Sequence, residues 1–110
     1  MPNIKIYVDE RNCPAASVAV RGSLPALRTL VCEGLEVPGT ACQFAVIGVS
    51  GMDDQPAINT EMHMLPGPAR TPEHRRNVAR RLRDALAEVT GLSVAVRMAS
   101  LDPETYVALK

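Results

Sequence analysis

The first ten residues, MPNIKIYVDE, alternate between apolar and polar side chains. Ile4, Ile6 and Val8 occupy every second position, which is the period of a half-buried β-strand. Pro2 falls on the same face of this predicted strand. Proline is tolerated there, because the N–H that it lacks costs no ladder hydrogen bond at the first residue of a strand.

The next segment, DERNCPAASVAVRG at residues 9–22, has no clear period, and Pro14 and Gly22 interrupt it. Such a segment is typical of a loop. We predict a loop with a short extended piece at residues 17–20.

The segment SLPALRTLVCEGL predicts the first helix. Ser23 is a candidate N-cap, and Pro25 falls in the first turn, where a missing N–H is harmless. Gly34 and Pro38 are expected to end the helix. One apolar stripe would face the core, formed by Leu24, Leu27, Leu30, Val31 and Leu35.

Two further strands are predicted in the middle of the chain. ACQFAVIGV at residues 41–49 is an almost unbroken apolar run, which favours a strand buried on both faces in the middle of a sheet. SGMDDQPA at residues 50–57 has the composition of a loop. NTEMHML at residues 59–65 alternates again and predicts a strand with Thr60 and Met62 on one face.

The segment TPEHRRNVARRLRDALAEVTG is the clearest helix in the sequence. Thr71 is a candidate N-cap, and Pro72 suits the first helical position. Glu73 complements the positive end of the helix dipole, and Gly91 marks the C-terminal end. The predicted buried stripe consists of Val78, Leu82, Ala85, Leu86 and Val89.

A fourth strand at residues 92–100 completes a β-α-β order that occurs twice. We therefore predict one domain of residues 1–110, with halves at about 2–49 and 59–100 and a short tail. The predicted fold class is α/β (α+β), a tandem β-α-β repeat with a four-stranded mixed sheet and two helices on one face. The other face is expected to carry Ala, Val and Met and to need a partner.

The composition disfavours several classes of function. Twelve basic residues balance twelve acidic ones, so no overall charge favours nucleic acid or a membrane surface as a partner. No apolar run approaches the length of about 20 residues that spans a bilayer. Aromatic residues make up only 3% of the chain, which disfavours a stacking platform for single-stranded nucleic acid.

Three cysteines, Cys13, Cys32 and Cys42, have no paired or CxxC spacing. An odd number without such spacing disfavours a disulfide framework or a zinc site and favours a reducing, cytoplasmic location. Cys32 and Cys42 lie in apolar stretches and are interpreted as packing residues.

Pro2 has a second interpretation, which is chemical. Initiator methionine is usually removed before a small residue, and Pro2 would then carry a free secondary amine. An α-amino group titrates at roughly 7.7–8.0, and burial disfavours its cationic form, which would leave a neutral base near pH 7. A strand start without chemical consequence remains the alternative.

Arg70 and Arg97 are candidates for binding an anion. Arg70 precedes the N-cap of the second helix, where backbone N–H groups gather, and a guanidinium there can hold a carboxylate through two hydrogen bonds. Arg97 interrupts an apolar strand among small residues. An ordinary loop arginine and an exposed strand arginine are the respective alternatives.

The remaining basic residues do not indicate a further binding or metal site. Five arginines lie between residues 75 and 83, but acidic residues are interleaved, so a solvated helix face explains them. His63 has no second histidine or cysteine at ligand spacing, so a metal site is not expected.

Several of these motifs together resemble the tautomerase superfamily. They are the Met-Pro start on a strand, the doubled β-α-β order, and MHMLPGPARTPEHRRNVARRLRDALAEVTG followed by SVAVRM. Within the superfamily the chain is most similar to the 5-carboxymethyl-2-hydroxymuconate isomerase family, which carries both halves in one chain. In 4-oxalocrotonate tautomerase (4-OT) each chain is a single half. The likeness covers residues 2–8, 23–27 and most of 60–110.

The resemblance implies a cofactor-free isomerase that acts on small 2-hydroxydienoates or 2-oxo acids, as in aromatic degradation. Pro2 would be the general base or acid, and Arg70 and Arg97 would bind the substrate carboxylates. A trimer is implied, with the tail and Tyr106 docking on a neighbour. The chain departs from the family at Ala95, where an arginine is often found, and in residues 41–49, which contain no arginine.

Other interpretations stay open at the level of sequence. A dehalogenase, hydratase or decarboxylase of the same superfamily would need further acid groups, for which Asp9 and Glu10 are candidates. A non-catalytic oligomeric module is an alternative of another class. For the fold, the alternative is a ferredoxin-like sheet with antiparallel pairing, whereas the tautomerase arrangement pairs the strands of each half in parallel.

Overall fold

The computed structural model describes residues 2–11 and 13–110. Two parallel strand pairs, each bridged by a helix, meet along an antiparallel contact between the first and third strands. The sheet order is β2-β1-β3-β4. The elements are β1 (Asn3–Asp9), α1 (Pro14–Leu35), β2 (Gln43–Val49), β3 (Ile58–Met64), α2 (Pro72–Thr90) and β4 (Val94–Ser100).

This pairing confirms the predicted mixed sheet and excludes the ferredoxin-like alternative, because both halves pair their strands in parallel. The two central strands, β1 and β3, are the ones whose sequences alternate. Their inward positions are fully buried under the helices, and they include Ile4, Ile6, Val8, Ile58, Thr60, Met62 and Met64.

The second helix follows its sequence signals closely. The Thr71 side chain accepts a hydrogen bond from the backbone N–H of His74, and Pro72 takes the first helical position. Gly91 ends the helix in the left-handed region at φ 69°, where a side chain would be strained. Val78, Leu82 and Leu86 are buried as predicted, but Val89 is 40% exposed and does not belong to the buried stripe.

The first helix begins nine residues earlier than Ser23, at Pro14, so the predicted loop and the extended piece at residues 17–20 are wrong. Pro14 occupies the first turn, where it initiates a helix rather than breaking one. Ser23 is inside the helix, and its hydroxyl donates to the carbonyl of Ala19. Ala16, Ser17 and Val20 are buried by the fold, and this burial outweighs the weak local signals.

Pro25 also lies inside α1 rather than in its first turn. The helix ends at Leu35, and Glu36 takes the left-handed conformation with φ 57°. Gly34 therefore has another role, since an added Cβ would lie 3.0 Å from a methyl carbon of Val78 in α2. The helices approach closely here, and Nε2 of His74 donates to the carbonyl of Gly34 at 2.6 Å.

The strand β2 is an edge strand, which corrects its predicted place in the middle of the sheet. None of its residues is fully buried. Phe44 and Val46 face the helices, while Val49 is 37% exposed. An unbroken apolar run indicates that both faces of a strand are apolar. It does not indicate whether the strand has one neighbouring strand or two.

The face of the sheet away from the helices is more polar than predicted. Val94, Val96 and Met98 of β4 pack against the core beneath the helices. Because side chains alternate along a strand, the opposite face carries the intervening residues. Those residues include Lys5, Tyr7, Glu61, His63 and Arg97.

Cys32, near the end of α1, and Cys42, before β2, form a disulfide with a Cα–Cα distance of 6.6 Å. The interpretation of both as simple packing residues is corrected. The turn between them brings together two residues that sequence spacing did not pair. Neither described helix is both long and apolar enough to cross a membrane.

Candidate functional site

A cavity of about 360 Å³ lies at the end of the sheet where the central strand β1 begins. Pro2 lines it, followed by the first residues of the two parallel strands, Asn3 and Gln43. The remaining lining comes from Leu65, just after β3, and from Tyr106 and residues 108–110. The cavity therefore joins both ends of the sequence at the start of one strand pair.

Pro2 is buried, as its place on the face of Ile4 predicts. Its carbonyl accepts a hydrogen bond of 3.0 Å from the backbone N–H of Gln43, which fixes the proline at the start of the parallel pair. The expected removal of Met1 concerns a residue outside the described ones. What the structure gives is a buried proline in contact with an open cavity.

Arg70 approaches the cavity from behind its wall. Its Nη1 donates to the carbonyl of Leu65 at 2.7 Å, and Leu65 itself lines the cavity. The backbone N–H of Arg70 also bonds the carbonyl of Gly67, which closes the turn before α2. A guanidinium has five N–H donors, so the bond to Leu65 leaves donors for an anion.

Arg97 does not line this cavity. It lies on the face of the sheet away from the helices, and its Nε donates to Oδ1 of Asn59 at 3.1 Å. In the strand register Arg97 is opposite Glu61, which is opposite Lys5. β4 is two strands from β1, roughly 10 Å across the sheet. Within one chain, the structure does not bring Arg97 and Pro2 together.

Asp9 and Glu10 lie at the far end of β1, roughly 20 Å from Pro2 for a strand of this length. Asp9 is almost fully buried and pairs with Arg11 at 3.0 Å. Hydrogen bonds from the side chain and backbone of Arg11 hold the pKa of Asp9 below its ordinary value. Glu10 accepts a hydrogen bond of 2.6 Å from Ser17. Both carboxylates therefore anchor the end of the strand within one chain.

Tyr106 and Lys110 are cavity residues that the sequence did not indicate. The docking of the tail on a neighbouring subunit stays a prediction; within its own chain, the tail forms a turn beside the Pro2 cavity. The backbone N–H of Leu101 donates to the carbonyl of Met64, and that of Tyr106 to the carbonyl of Asp102. The signal that could have revealed this turn is the Asp-Pro pair at residues 102–103.

The arginines of α2 lie on its outer surface. Nη1 of Arg75 donates to the hydroxyl of Ser100, and Arg83 pairs with its neighbour Asp84 at 3.0 Å. Arg76 and Arg80 are exposed. Within residues 2–11 and 13–110, no three His, Cys, Asp or Glu side chains are grouped closely enough to hold a metal ion.

The sequence matches no protein-family model and no curated protein. Solved structures do match. A domain of unknown function (DUF1904) from Sebaldella termitidis has a TM-score of 0.73 at 18% identity, over 98% of this chain and 95% of that one. A fused 4-OT described as an asymmetric trimer has a TM-score of 0.74 at 10% identity, over 96% and 91%.

A macrophage migration inhibitory factor-like protein from Entamoeba histolytica is also similar, with a TM-score of 0.69 at 11% identity over 97% of this chain and 94% of that one. At these identities the likeness concerns the fold alone. The agreement extends over nearly the whole chain, and the parallel pairing within each half matches the arrangement expected for tautomerases. The chain therefore has a tautomerase-like fold.

Proposed function

We propose that this protein is a cofactor-free tautomerase in which the amino-terminal nitrogen of Pro2 is the general base and acid. The observation that carries the proposal is the buried Pro2 at the wall of a 360 Å³ cavity in a tautomerase-like fold. Burial disfavours the charged form of an amine, which favours a neutral amine near pH 7.

In the proposed reaction, the neutral amine takes the proton from the hydroxyl of a small 2-hydroxydienoate or enol. The resulting ammonium returns a proton to carbon, which yields the 2-oxo acid. The substrate is neither oxidised nor reduced, so no cofactor is needed. General acid–base catalysis of this kind contributes about 10²–10⁴-fold to a rate.

Substrate carboxylates in this proposal bind to arginines. Arg70 lies behind Leu65 and would polarise the 2-oxo group, stabilising negative charge as it develops there. Arg97 faces away from its own Pro2, so it would serve the cavity of a neighbouring subunit. We propose a trimer, which is the assembly described for the structurally similar fused 4-OT.

For the substrate, we propose an activity similar to that of 5-carboxymethyl-2-hydroxymuconate isomerase, in aromatic degradation. No observation favours a dehalogenase, hydratase or decarboxylase, because Asp9 is held by Arg11 and Glu10 by Ser17, away from the cavity. A non-catalytic module is the conclusion if Pro2 proves dispensable.

The test compares two changes at Pro2. Pro2→Ala is expected to lower the rate of phenylpyruvate enol or 2-hydroxymuconate ketonisation by orders of magnitude, measured by ultraviolet absorbance. Insertion of one alanine before Pro2 keeps the ring but turns its nitrogen into an amide, so the same loss is expected. Intact mass establishes for each protein whether the methionine is present.

Pro38→Ala is the matched control, because Pro38 is exposed and does not line the cavity. Its rate should equal that of the wild type, and thermal unfolding should show that all variants are folded. A loss of only a few-fold in Pro2→Ala and in the insertion variant would remove the catalytic role of Pro2.

A further inference from the structure

The strand β4 is the second edge strand of the sheet, and one of its sides pairs with no other described strand. The carbonyl of Ser93, just before β4, accepts a hydrogen bond from the N–H of Ile58 in β3. The backbone groups of successive strand residues point to opposite sides, so the odd-numbered residues of β4 pair with β3. The N–H and C=O groups of Val94 and Val96 therefore point to the open edge.

A groove of about 400 Å³ follows this open edge. Residues 94–96 form one side of it, and α2 forms the other. The lining residues of α2 are Ala79 and three arginines, Arg76, Arg80 and Arg83. None of the described lining residues is acidic. The groove therefore combines backbone groups that lack a partner strand with a row of positive charge.

Two of these arginines are available to a partner. Arg83 pairs with Asp84 at 3.0 Å, but the guanidinium groups of Arg76 and Arg80 form no hydrogen bond or ion pair with any residue in 2–11 or 13–110. Because Arg76 and Arg80 are four positions apart, they lie on one face of α2, about 6 Å apart along its axis. Side chains on one face of a β-strand repeat at about 6.6 Å. An extended chain in the groove would therefore place successive side chains of one face beside successive arginines.

We propose that this groove binds an extended acidic segment of another protein, which adds to β4 as a fifth strand. The backbone of the segment pairs with the N–H and C=O groups of Val94 and Val96. Carboxylates at alternate positions of the segment bind Arg76 and Arg80. The inference goes beyond the proposed tautomerase activity and does not depend on it.

Charge complementarity favours this occupant over the alternatives. The other edge strand of the chain, β2, has the sequence QFAVIGV, which contains no acidic residue, so β2 of a second copy would bring no carboxylate to the arginines. The same arginines would repel a basic strand. A nucleic acid would match the charge, but its phosphates only accept hydrogen bonds and cannot pair with the C=O groups of the edge. An acidic strand satisfies both the arginines and the backbone.

The first test measures the fluorescence anisotropy of a labelled peptide that alternates valine and glutamate over seven residues, the length of β4. This peptide should bind, and one that alternates valine and lysine should not. The double variant Arg76→Gln, Arg80→Gln should raise Kd by about fivefold or more, as expected for two exposed ion pairs. Arg21→Gln, Arg28→Gln is the matched control with an unchanged Kd, because both arginines are exposed on α1 and the net charge changes equally.

A backbone variant separates strand addition from attraction by charge alone. Val94→Pro removes an N–H that points to the open edge, at the first residue of β4, where proline is tolerated. It should abolish binding of the acidic peptide, whereas Val94→Ala, which keeps the N–H, should bind it like the wild type. Thermal unfolding checks that both variants are folded. Independently of these variants, an acidic peptide of the same charge with proline in place of valine should not bind the wild type.

Four results would overturn the proposal. No binding of the valine–glutamate peptide is the first, and equal binding of the peptide that contains proline is the second. The third is tighter binding of a single-stranded oligothymidylate, weakened by Arg76→Gln, Arg80→Gln, which would assign the groove to nucleic acid. The fourth is a smaller assembly of the same double variant in light scattering, which would assign the groove to contacts between copies of this chain.

Discussion

The two halves of this protein have the same order of elements but are held together by different means. In the second half, α2 is defined by neighbours in sequence, with the Thr71 cap, Pro72 at its start and Gly91 at its end. In the first half, α1 has no side-chain cap at Cys13 and contains Pro25 in its interior. The first half therefore depends more on packing between segments that are distant in sequence.

The halves also differ at the residue that directly precedes the first strand of each half. Pro2 directly precedes β1, and Ala57 directly precedes β3. The carbonyl of Ala57 accepts from the N–H of Asp9, and its own N–H donates to the hydroxyl of Ser93. Ala57 also lines a cavity, of about 280 Å³, but the nitrogen of this internal residue is an amide, and the carboxylates of Asp9 and Glu61 belong to lining residues of that cavity. A doubled fold does not imply a doubled site.

The largest expected effect tests whether the two halves share one core. Leu27 of α1 and Leu82 of α2 are both buried, at 2% and 0% exposure. Leu27→Ala and Leu82→Ala should each lower the free energy of unfolding by about 2–5 kcal/mol, because each leaves a cavity in the same core. Urea denaturation followed by circular dichroism measures both.

Leu109→Ala is the control, because Leu109 is 91% exposed and its loss leaves no buried cavity. Both core variants should unfold in a single transition. Separate transitions for the two halves would contradict the shared core.

Smaller changes in the free energy of unfolding are expected at the ends of the helices, and the two ends should change it in opposite directions. Glu36 and Gly91 both adopt positive φ, at 57° and 69°. Glu36→Gly should raise the free energy of unfolding by about 1 kcal/mol, since glycine removes the strain of a left-handed side chain. Gly91→Ala should lower it by about the same amount, measured by the same denaturation. The same sign for both variants would show that local backbone strain does not decide these ends.

The smallest expected effect is a change in the stability of the fold at low pH. The lowered pKa of Asp9 means that its pairing with Arg11 stabilises the fold above the unfolded-state pKa of roughly 3.9 and is lost as the pH falls through the folded-state value. Asp9→Asn should therefore flatten the loss of stability below about pH 4. Thermal unfolding across that range measures it.

Asp84→Asn provides the comparison from the second half. Asp84 and Arg83 pair on the surface, where both side chains are more than half exposed, so this pair should contribute little. An equal change in the two variants would mean that burial of Asp9 does not increase the contribution of its ion pair to stability.

The sequence by itself determined the elements whose causes are local. The alternation in β1 and β3 predicted which side chains are buried, and the Thr71, Pro72 and Gly91 signals predicted both ends of α2. In each case the residues that decide the conformation are within a few positions of one another. The doubled β-α-β order predicted a four-stranded sheet covered by two helices but left the strand pairing open, and the parallel pairing within each half was expected from the resemblance to tautomerases.

The tertiary structure alone decided the features that join distant residues. It placed β2 at the edge of the sheet, extended α1 back to Pro14 and paired Cys32 with Cys42. It also brought Tyr106 and Lys110 to Pro2, more than 100 residues away in sequence. Local periodicity carries no information on such contacts, because their stability comes from burial between segments and not from neighbours along the chain.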